Sequence, residues 1–182
     1  MSHPYSAEMS DAADDPRFML QTAILGFHQA RVRFREHDAD ALPERVVIPL
    51  AEAMWWAVSI HEGFAELCAA DYAKLSGQTG ALVLQGARYA RNRLGHQRAL
   101  AVERVNGIIP PLTPPLRMFE FIWRPAADLP PPDRPDPRGL ANYERYLSGK
   151  AARQTLDDCA GWFETCRNKL HSHFGFAWPA SP

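Results

Sequence analysis

The chain lacks the features that mark a secreted, membrane-spanning or disulfide-stabilised protein. No apolar run reaches the roughly 18 residues that a transmembrane helix needs, so no membrane span is expected. Residues 1–15 are polar and acidic, without a basic start or an apolar stretch, which argues against a signal peptide and predicts a disordered tail. The three cysteines form no Cys-x-x-Cys pair, so buried free thiols in the reducing cytoplasm are expected.

Common enzyme signatures are also missing. The sequence has no phosphate-binding glycine loop, no Gly-x-Ser-x-Gly and no His-Glu-x-x-His. No metal site and no cofactor are therefore expected. His28, His37 and His61 each stand alone in a helical segment, a pattern typical of ordinary surface or hydrogen-bonded core histidines.

The dominant pattern in the sequence is the helical spacing of its apolar residues. Asp15-Pro16 is typical of a helix start, because aspartate caps the N-terminus and proline suits the first helical position. Pro49 lacks an N–H and is expected to start a helix rather than lie inside one. Apolar spacing predicts five helices: Pro16–His37, Pro49–Lys74, Thr79–Asn106, Arg138–Leu147 and Ala151–Phe174. The predicted fold is an all-α, antiparallel bundle of four to five helices in a single domain, 16–182.

A proline-rich segment, 108–137, separates the third and fourth predicted helices. Ten of the sixteen prolines fall between Pro110 and Pro137, which excludes a helix interior. Within it, 117–124 alternates in part and is either a short strand or an extended stretch on the bundle. A connection this long is either a functional flap or an extended wrap, and a small-molecule site beneath a flap is one open alternative.

Charge is unevenly distributed, although the net charge is only −1. The stretch from Tyr72 to Val102 contains no Asp or Glu. It does contain five basic residues: Lys74, Arg88, Arg91, Arg93 and Arg98. A cationic helix is a candidate for phosphate contacts. The alternative is a solvated face whose charge is offset by acidic helices packed nearby.

One face of the third predicted helix is polar. At about 100° per residue, an arc of about 160° holds the following side chains: Arg91, Gly95, Arg88, Asn92, Gln85, His96 and Tyr89. Gly95 costs a helix interior about 1 kcal/mol relative to alanine, and such a glycine often permits close approach of another backbone. Two copies of this helix could therefore cross here and pool their arginine and histidine side chains.

The run Arg91-Asn92-Arg93-Leu94-Gly95-His96 resembles the signature of the HEPN superfamily (higher eukaryotes and prokaryotes nucleotide-binding domain). That signature is an arginine, usually followed by a polar residue, and a histidine after four to six intervening positions. Here Asn92 is the polar residue and four residues intervene. The motif lies in mid-chain, followed by the proline-rich segment and two further predicted helices, which departs from the family's usual arrangement.

The resemblance implies a metal-independent endoribonuclease, often a toxin of a toxin–antitoxin or phage-defence system. It also implies a homodimer through the third helix, with a composite site, and RNA and an antitoxin protein as partners. Carried over by position, Arg91 and His96 would be catalytic, with Asn92 supporting them. The basic stretch and the polar face add three expected substrate contacts: Arg88, Tyr89 and Arg98.

The chemistry is consistent with that resemblance. RNA carries its own nucleophile, the 2′-hydroxyl; an imidazole titrates near pH 6.5 and an arginine fork can neutralise the phosphate. Glu62 is a candidate to orient Arg91 or Arg88, the alternative being a plain solvent-facing glutamate. The alternative for Arg91 and His96 is structural hydrogen bonding or an inert interface. The chain would then be a non-catalytic module for dimerisation or for binding a partner or nucleotide.

Overall fold

The computed structural model describes residues 15–37, 43–96, 101–106 and 119–174. These ranges contain six α-helices and one two-stranded sheet, so the prediction of a mostly helical fold is confirmed. The helices are α1 (Pro16–His37), α2 (Pro43–Leu67), α3 (Ala69–Ala73), α4 (Thr79–His96), α5 (Pro137–Tyr146) and α6 (Ala152–Leu170). The strands are β1 (Val102–Asn106) and β2 (Phe119–Trp123). The tail predicted over 1–15 lies, apart from Asp15, outside the described residues.

Helices α1 and α2 form a long antiparallel pair. Leu20 near the start of α1 meets Gly63 near the end of α2, whereas Arg33 near the end of α1 pairs with Glu52 in α2. Their facing apolar stripes build the core together with α4 and α6. Fully buried aromatic and aliphatic side chains fill it: Phe27, Phe34, Leu50, Met54 and Phe64. None of the described helices is both long and apolar enough to cross a membrane.

The second helix begins earlier than its sequence pattern predicts. It starts at Pro43, so the prediction that Pro49 opens it is wrong. A proline inside a helix costs about 3 kcal/mol. Pro49 is itself buried, beside the fully buried Val46 and Leu50, and this packing offsets the missing hydrogen bond. The predicted end at Lys74 is also wrong, because Cys68 leaves the helical conformation (φ −146°, ψ 44°) and starts the separate turn α3.

The third predicted helix is shorter than expected. It ends at His96, and the last residues assigned to it, Val102–Asn106, form β1 instead. Strand β1 pairs antiparallel with β2, and Val102 lies opposite Trp123. Val102 is buried and Arg104 is exposed, with the Arg104 guanidinium 4.0 Å from the centroid of the Phe119 ring. Helical periodicity alone misses this element because the partner strand lies far along the chain.

The described part of the proline-rich segment wraps the bundle. Of the two alternatives for its aromatic stretch, strand β2 is the one observed; residues 108–118 lie outside the described residues. Beyond β2, the Tyr143 hydroxyl donates to the carbonyl of Arg124 at 2.6 Å. The backbone N–H of Ala126 donates to the Glu144 carboxylate at 2.7 Å. These contacts fasten the segment to α5.

Gly86 sets how closely α5 can approach α4. A Cβ at this position would lie 2.8 Å from a Leu147 methyl carbon and 3.1 Å from the backbone oxygen of Asn142. Gly86→Ala should therefore lower the free energy of unfolding by about 1–3 kcal/mol, the usual cost of overpacking. Gly161→Ala in α6 is the matched control, because its Cβ would meet nothing within 4 Å. It should raise stability by up to about 1 kcal/mol. If urea unfolding gave the two variants the same free energy of unfolding, the close packing of α5 on α4 would be contradicted.

Candidate nucleic-acid interface

Helix α4 offers only a narrow accessible strip. Its N-terminal half is covered by α6 at Gly80 and by α5 at Gly86. Between residues 81 and 94, Arg88 is exposed, whereas Arg91 and Asn92 are half-buried. Three residues predicted for the site therefore share one accessible strip.

Tyr89 differs from its predicted environment. Its side chain is only 5% exposed, between the Arg93 guanidinium, 4.3 Å from its ring centroid, and the Tyr143 ring at 5.2 Å. The helical arc placed it on the polar face, but the partners that cover it come from later in the chain and from its own helix. Its ring faces are occupied by protein, which leaves little of it for a substrate contact.

His96 is the last residue of α4, and its side chain lies outside the described residues. Arg98 also lies outside them. In the register of the helix, position 96 falls between Asn92 and Tyr89 and about 140° from Arg91.

Arg91 packs toward α2. Its guanidinium carbon lies 5.0 Å from the ring centroid of Trp55, a side chain that is 51% exposed. The Arg91 Nε is buried and has no hydrogen-bond partner among the described residues. Burial lowers the pKa of Arg91, the carboxylate of Glu62 opposes that change, and the charge of Arg88 adds to it. An arginine remains protonated at neutral pH despite such shifts, so the site keeps a positive charge.

Glu62 is exposed on α2. Within the described part of the chain it forms no ion pair with Arg88 or Arg91. Its effect on Arg91 is electrostatic, since it favours the charged form of the guanidinium. The structure thus puts Glu62 near the strip, as a solvent-exposed carboxylate.

His61 also belongs to this region, although in the sequence it stands alone in a helical segment. Its Nδ1 lies 2.6 Å from the Tyr72 hydroxyl. Burial lowers the pKa of His61, Arg88 lowers it further, and Glu62 opposes both. Burial raises the pKa of Tyr72, so its hydroxyl stays protonated and donates to the neutral imidazole. Periodicity could not reveal this pair because Tyr72 lies on the separate turn α3.

A pocket of about 530 Å³ lies on the other side of the strip, between α4 and the proline-rich segment. It is lined by Arg88, Tyr89, Asn92, Arg93, Pro132, Asp133, Arg134 and Asp136. Three of these residues were predicted for the site, whereas the four from the proline-rich segment and Arg93 were not. The proline-rich segment reaches α4 only in the folded chain, so no local sequence pattern could have indicated these lining residues. Arg91 and Glu62 do not line this pocket.

Arg93 connects the segment to α4. Its side chain is only 2% exposed, stacks on Tyr89 and donates from an Nη to the backbone oxygen of Pro130 at 3.3 Å. A buried guanidinium with such contacts is a structural anchor as well as a local positive charge. The pocket wall is therefore held in place by one of its own cations.

The cysteines are free and buried, as expected. Burial raises the pKa of Cys159 and of Cys166, each to about 12, so both remain thiols at neutral pH. Thiols of this kind are poor nucleophiles and poor metal ligands. Among the described residues, no group of three or more His, Cys, Asp or Glu side chains is placed to hold a metal ion.

The accessible strip of α4 thus has Trp55 and Arg91 on one side and the pocket beneath the proline-rich segment on the other. Comparisons of the chain with protein-family models, with curated proteins and with solved structures found no match.

Proposed function

We propose that this protein is a HEPN-like, metal-independent endoribonuclease that acts on RNA in the cytoplasm, as the toxin of a toxin–antitoxin or phage-defence system. Arg91 and His96 are the catalytic pair, and Asn92 supports them. The observation that carries the proposal is the state of Arg91: a positive charge held against Trp55, with a buried Nε that no described residue satisfies.

A buried donor without a partner is costly, about 1–3 kcal/mol and more when it is charged. Once the atoms that cover it shift, a phosphate oxygen would satisfy the Arg91 Nε through a charge-assisted hydrogen bond. Stacking on Trp55 holds the guanidinium in one place before the phosphate arrives. Such preorganisation is what lets a donor stabilise charge that develops during a reaction.

The reaction needs two proton transfers and one charge stabiliser. The 2′-hydroxyl attacks the adjacent phosphorus, the bond to the 5′ oxygen breaks, and the products end in a 2′,3′-cyclic phosphate and a free 5′-hydroxyl. One imidazole takes the proton from the 2′-hydroxyl, while Arg91 neutralises the phosphate oxygens. A homodimer supplies the second His96, which gives a proton to the departing 5′ oxygen. Imidazoles suit both steps because they titrate near neutral pH.

The homodimer contact is proposed at the C-terminal end of α4. The N-terminal half of the helix is occupied by α5 and α6 of the same chain, whereas the strip around Arg88 and Asn92 is accessible. The exposed Trp55 beside Arg91 extends that strip with apolar surface. A second copy would cover it and bring the two motifs together.

Arg91→Lys tests the proposal directly. Lysine keeps the charge but cannot reproduce the planar fork or donate from Nε, so RNA cleavage should fall by about 10²- to 10³-fold, as when one transition-state donor is removed. The rate is measured on a fluorescent RNA, with the product ends identified by mass spectrometry. Arg138→Lys is the matched control, an exposed arginine on α5 that is not among the residues lining the pocket, and should cleave like the wild type. EDTA should have no effect.

Three results would count against the ribonuclease. The first is that the wild-type protein cuts no RNA, the second is that EDTA stops the cleavage, and the third is that the Arg91→Lys variant keeps full activity. Wild-type protein that is dimeric by light scattering and binds RNA or a partner without cutting would favour the non-catalytic module instead.

A further inference from the structure

The pocket between α4 and the proline-rich segment has the size of a ligand site. Its volume, about 530 Å³, lies within the range of about 300–1,000 Å³ that small-molecule sites occupy. Its two walls are α4, which packs closely on α5, and the proline-rich segment, which Arg93 ties to α4 through Pro130. An inorganic anion alone would leave most of this volume unfilled.

Three polar side chains in the pocket have unused hydrogen-bonding capacity. Arg88 and Asn92 come from α4, and Arg134 comes from the proline-rich segment. Within the described part of the chain, none of the three makes a hydrogen bond or an ion pair. Two guanidiniums and one amide, contributed by two separate walls, therefore face one pocket without protein partners.

The charge of the pocket favours an anion. Arg88, Arg93 and Arg134 oppose two carboxylates, Asp133 and Asp136, which leaves one positive charge in surplus. Asp136 is already engaged, because one of its oxygens accepts the backbone N–H of Gly139 at 2.9 Å and caps α5. The cations without protein partners, Arg88 and Arg134, have the fork geometry that suits phosphate.

We propose that this pocket binds one nucleotide of the RNA strand, with the phosphate on Arg88 and Arg134 and the base directed to Asn92, which thus supports the catalytic pair by holding the substrate. An amide offers a donor and an acceptor side by side, which is the pattern that the edge of a base presents in return. This inference rests on the proposed function, because it takes RNA as the ligand. Arg88 lies less than one helical turn from Arg91. The nucleotide held in the pocket thus selects which neighbouring phosphate reaches the catalytic arginine.

Binding is tested with the full chain and four kinds of probe: inorganic phosphate, the four nucleoside monophosphates, a set of short RNAs, and the same RNAs with 2′-O-methyl groups, which lack the nucleophile. By isothermal titration, at least one monophosphate should bind more tightly than inorganic phosphate. Arg134→Gln should weaken binding of that monophosphate and of the 2′-O-methyl RNA by about tenfold or more. It should also flatten the log–log salt dependence of RNA binding by about 0.7, the value for one lost phosphate contact on a single strand. Arg138→Gln, outside the pocket, should change neither.

The outcomes separate this inference from the ribonuclease proposal. Two results would overturn the nucleotide pocket even if RNA is cut. In the first, the Arg134→Gln variant binds like the wild type; in the second, the monophosphates bind no better than inorganic phosphate. Tight binding of 2′-O-methyl RNA that depends on Arg134, in a protein that cuts no RNA, would support the pocket and reject the catalytic proposal. In a cleaving protein, Arg134→Gln should also change which phosphates in the RNA are cut, and an unchanged pattern would count against the pocket.

Discussion

His96→Ala is expected to slow RNA cleavage by about 10²- to 10⁴-fold, the usual contribution of a general acid or base. The loss should fall at the top of that range if both proton transfers use the imidazole, one from each copy of the dimer. Alanine is a good helix former, so the end of α4 should remain helical. The measurement is single-turnover cleavage of a defined RNA, followed over a range of pH.

His171→Ala is the matched control for His96→Ala. His171 is an exposed histidine in the short helical turn after α6, where its Nδ1 contacts the backbone oxygen of Asn168. It is not among the residues proposed for the site, so its replacement should leave the rate unchanged. Circular dichroism and light scattering should show the same helix content and the same oligomer for both variants. A folded His96→Ala variant that cuts RNA at the wild-type rate would show that His96 is not the proton carrier. If the variant unfolds, His96 has a structural role.

Arg153→Met is expected to lower the free energy of unfolding by about 3–5 kcal/mol, the cost of breaking a buried ion pair from one side. Arg153 on α6 donates from Nε to the Glu120 carboxylate on β2 at 2.7 Å. The two side chains are 14% and 6% exposed, so Glu120 would keep a buried charge without its cation. Methionine preserves most of the side-chain volume, which confines the change to the charge. Urea unfolding followed by circular dichroism measures it.

Two further variants show whether the effect is electrostatic. Arg167→Met breaks a pair with Glu164 whose side chains are 37% and 30% exposed, and it should cost less than about 1 kcal/mol. Glu120→Leu combined with Arg153→Met removes both charges and should recover most of the lost stability. A double variant as unstable as Arg153→Met alone would show that the loss comes from packing and not from the unpaired carboxylate.

The same pair matters for the site, because it holds strand β2, where the described part of the proline-rich segment begins. Trp123, at the end of β2, adds a hydrogen bond from its indole N–H to the Thr155 hydroxyl at 2.8 Å. Strand β2 is thus attached to α6 by two polar contacts before the chain continues to Pro130 and the pocket. Arg153→Met should therefore loosen the pocket wall as well as destabilise the fold.

Sequence alone predicts what local periodicity encodes. The bounds of α1 agree with its capping aspartate and its apolar spacing, because both signals lie within the helix itself. Phe27, Phe34 and Phe64 recur at helical spacing along α1 and α2, and they are buried. The accessible strip with Arg88, Arg91 and Asn92 also follows from helical spacing, since a helix that is apolar on one side must present its polar side elsewhere. The resemblance of 91–96 to the HEPN signature is likewise readable from sequence, and it stays a prediction.

Tertiary structure alone decided the features that depend on distant parts of the chain. Strand β1 exists because β2 supplies its hydrogen bonds, and those bonds outweigh the helical pattern of its residues. Pro49 is tolerated inside α2 because it is buried in the core, and Tyr89 is buried because Arg93 and Tyr143 cover it. The pocket with Arg134 forms only when the proline-rich segment wraps onto α4. Periodicity describes the faces of one element, whereas these outcomes depend on which distant element covers each face.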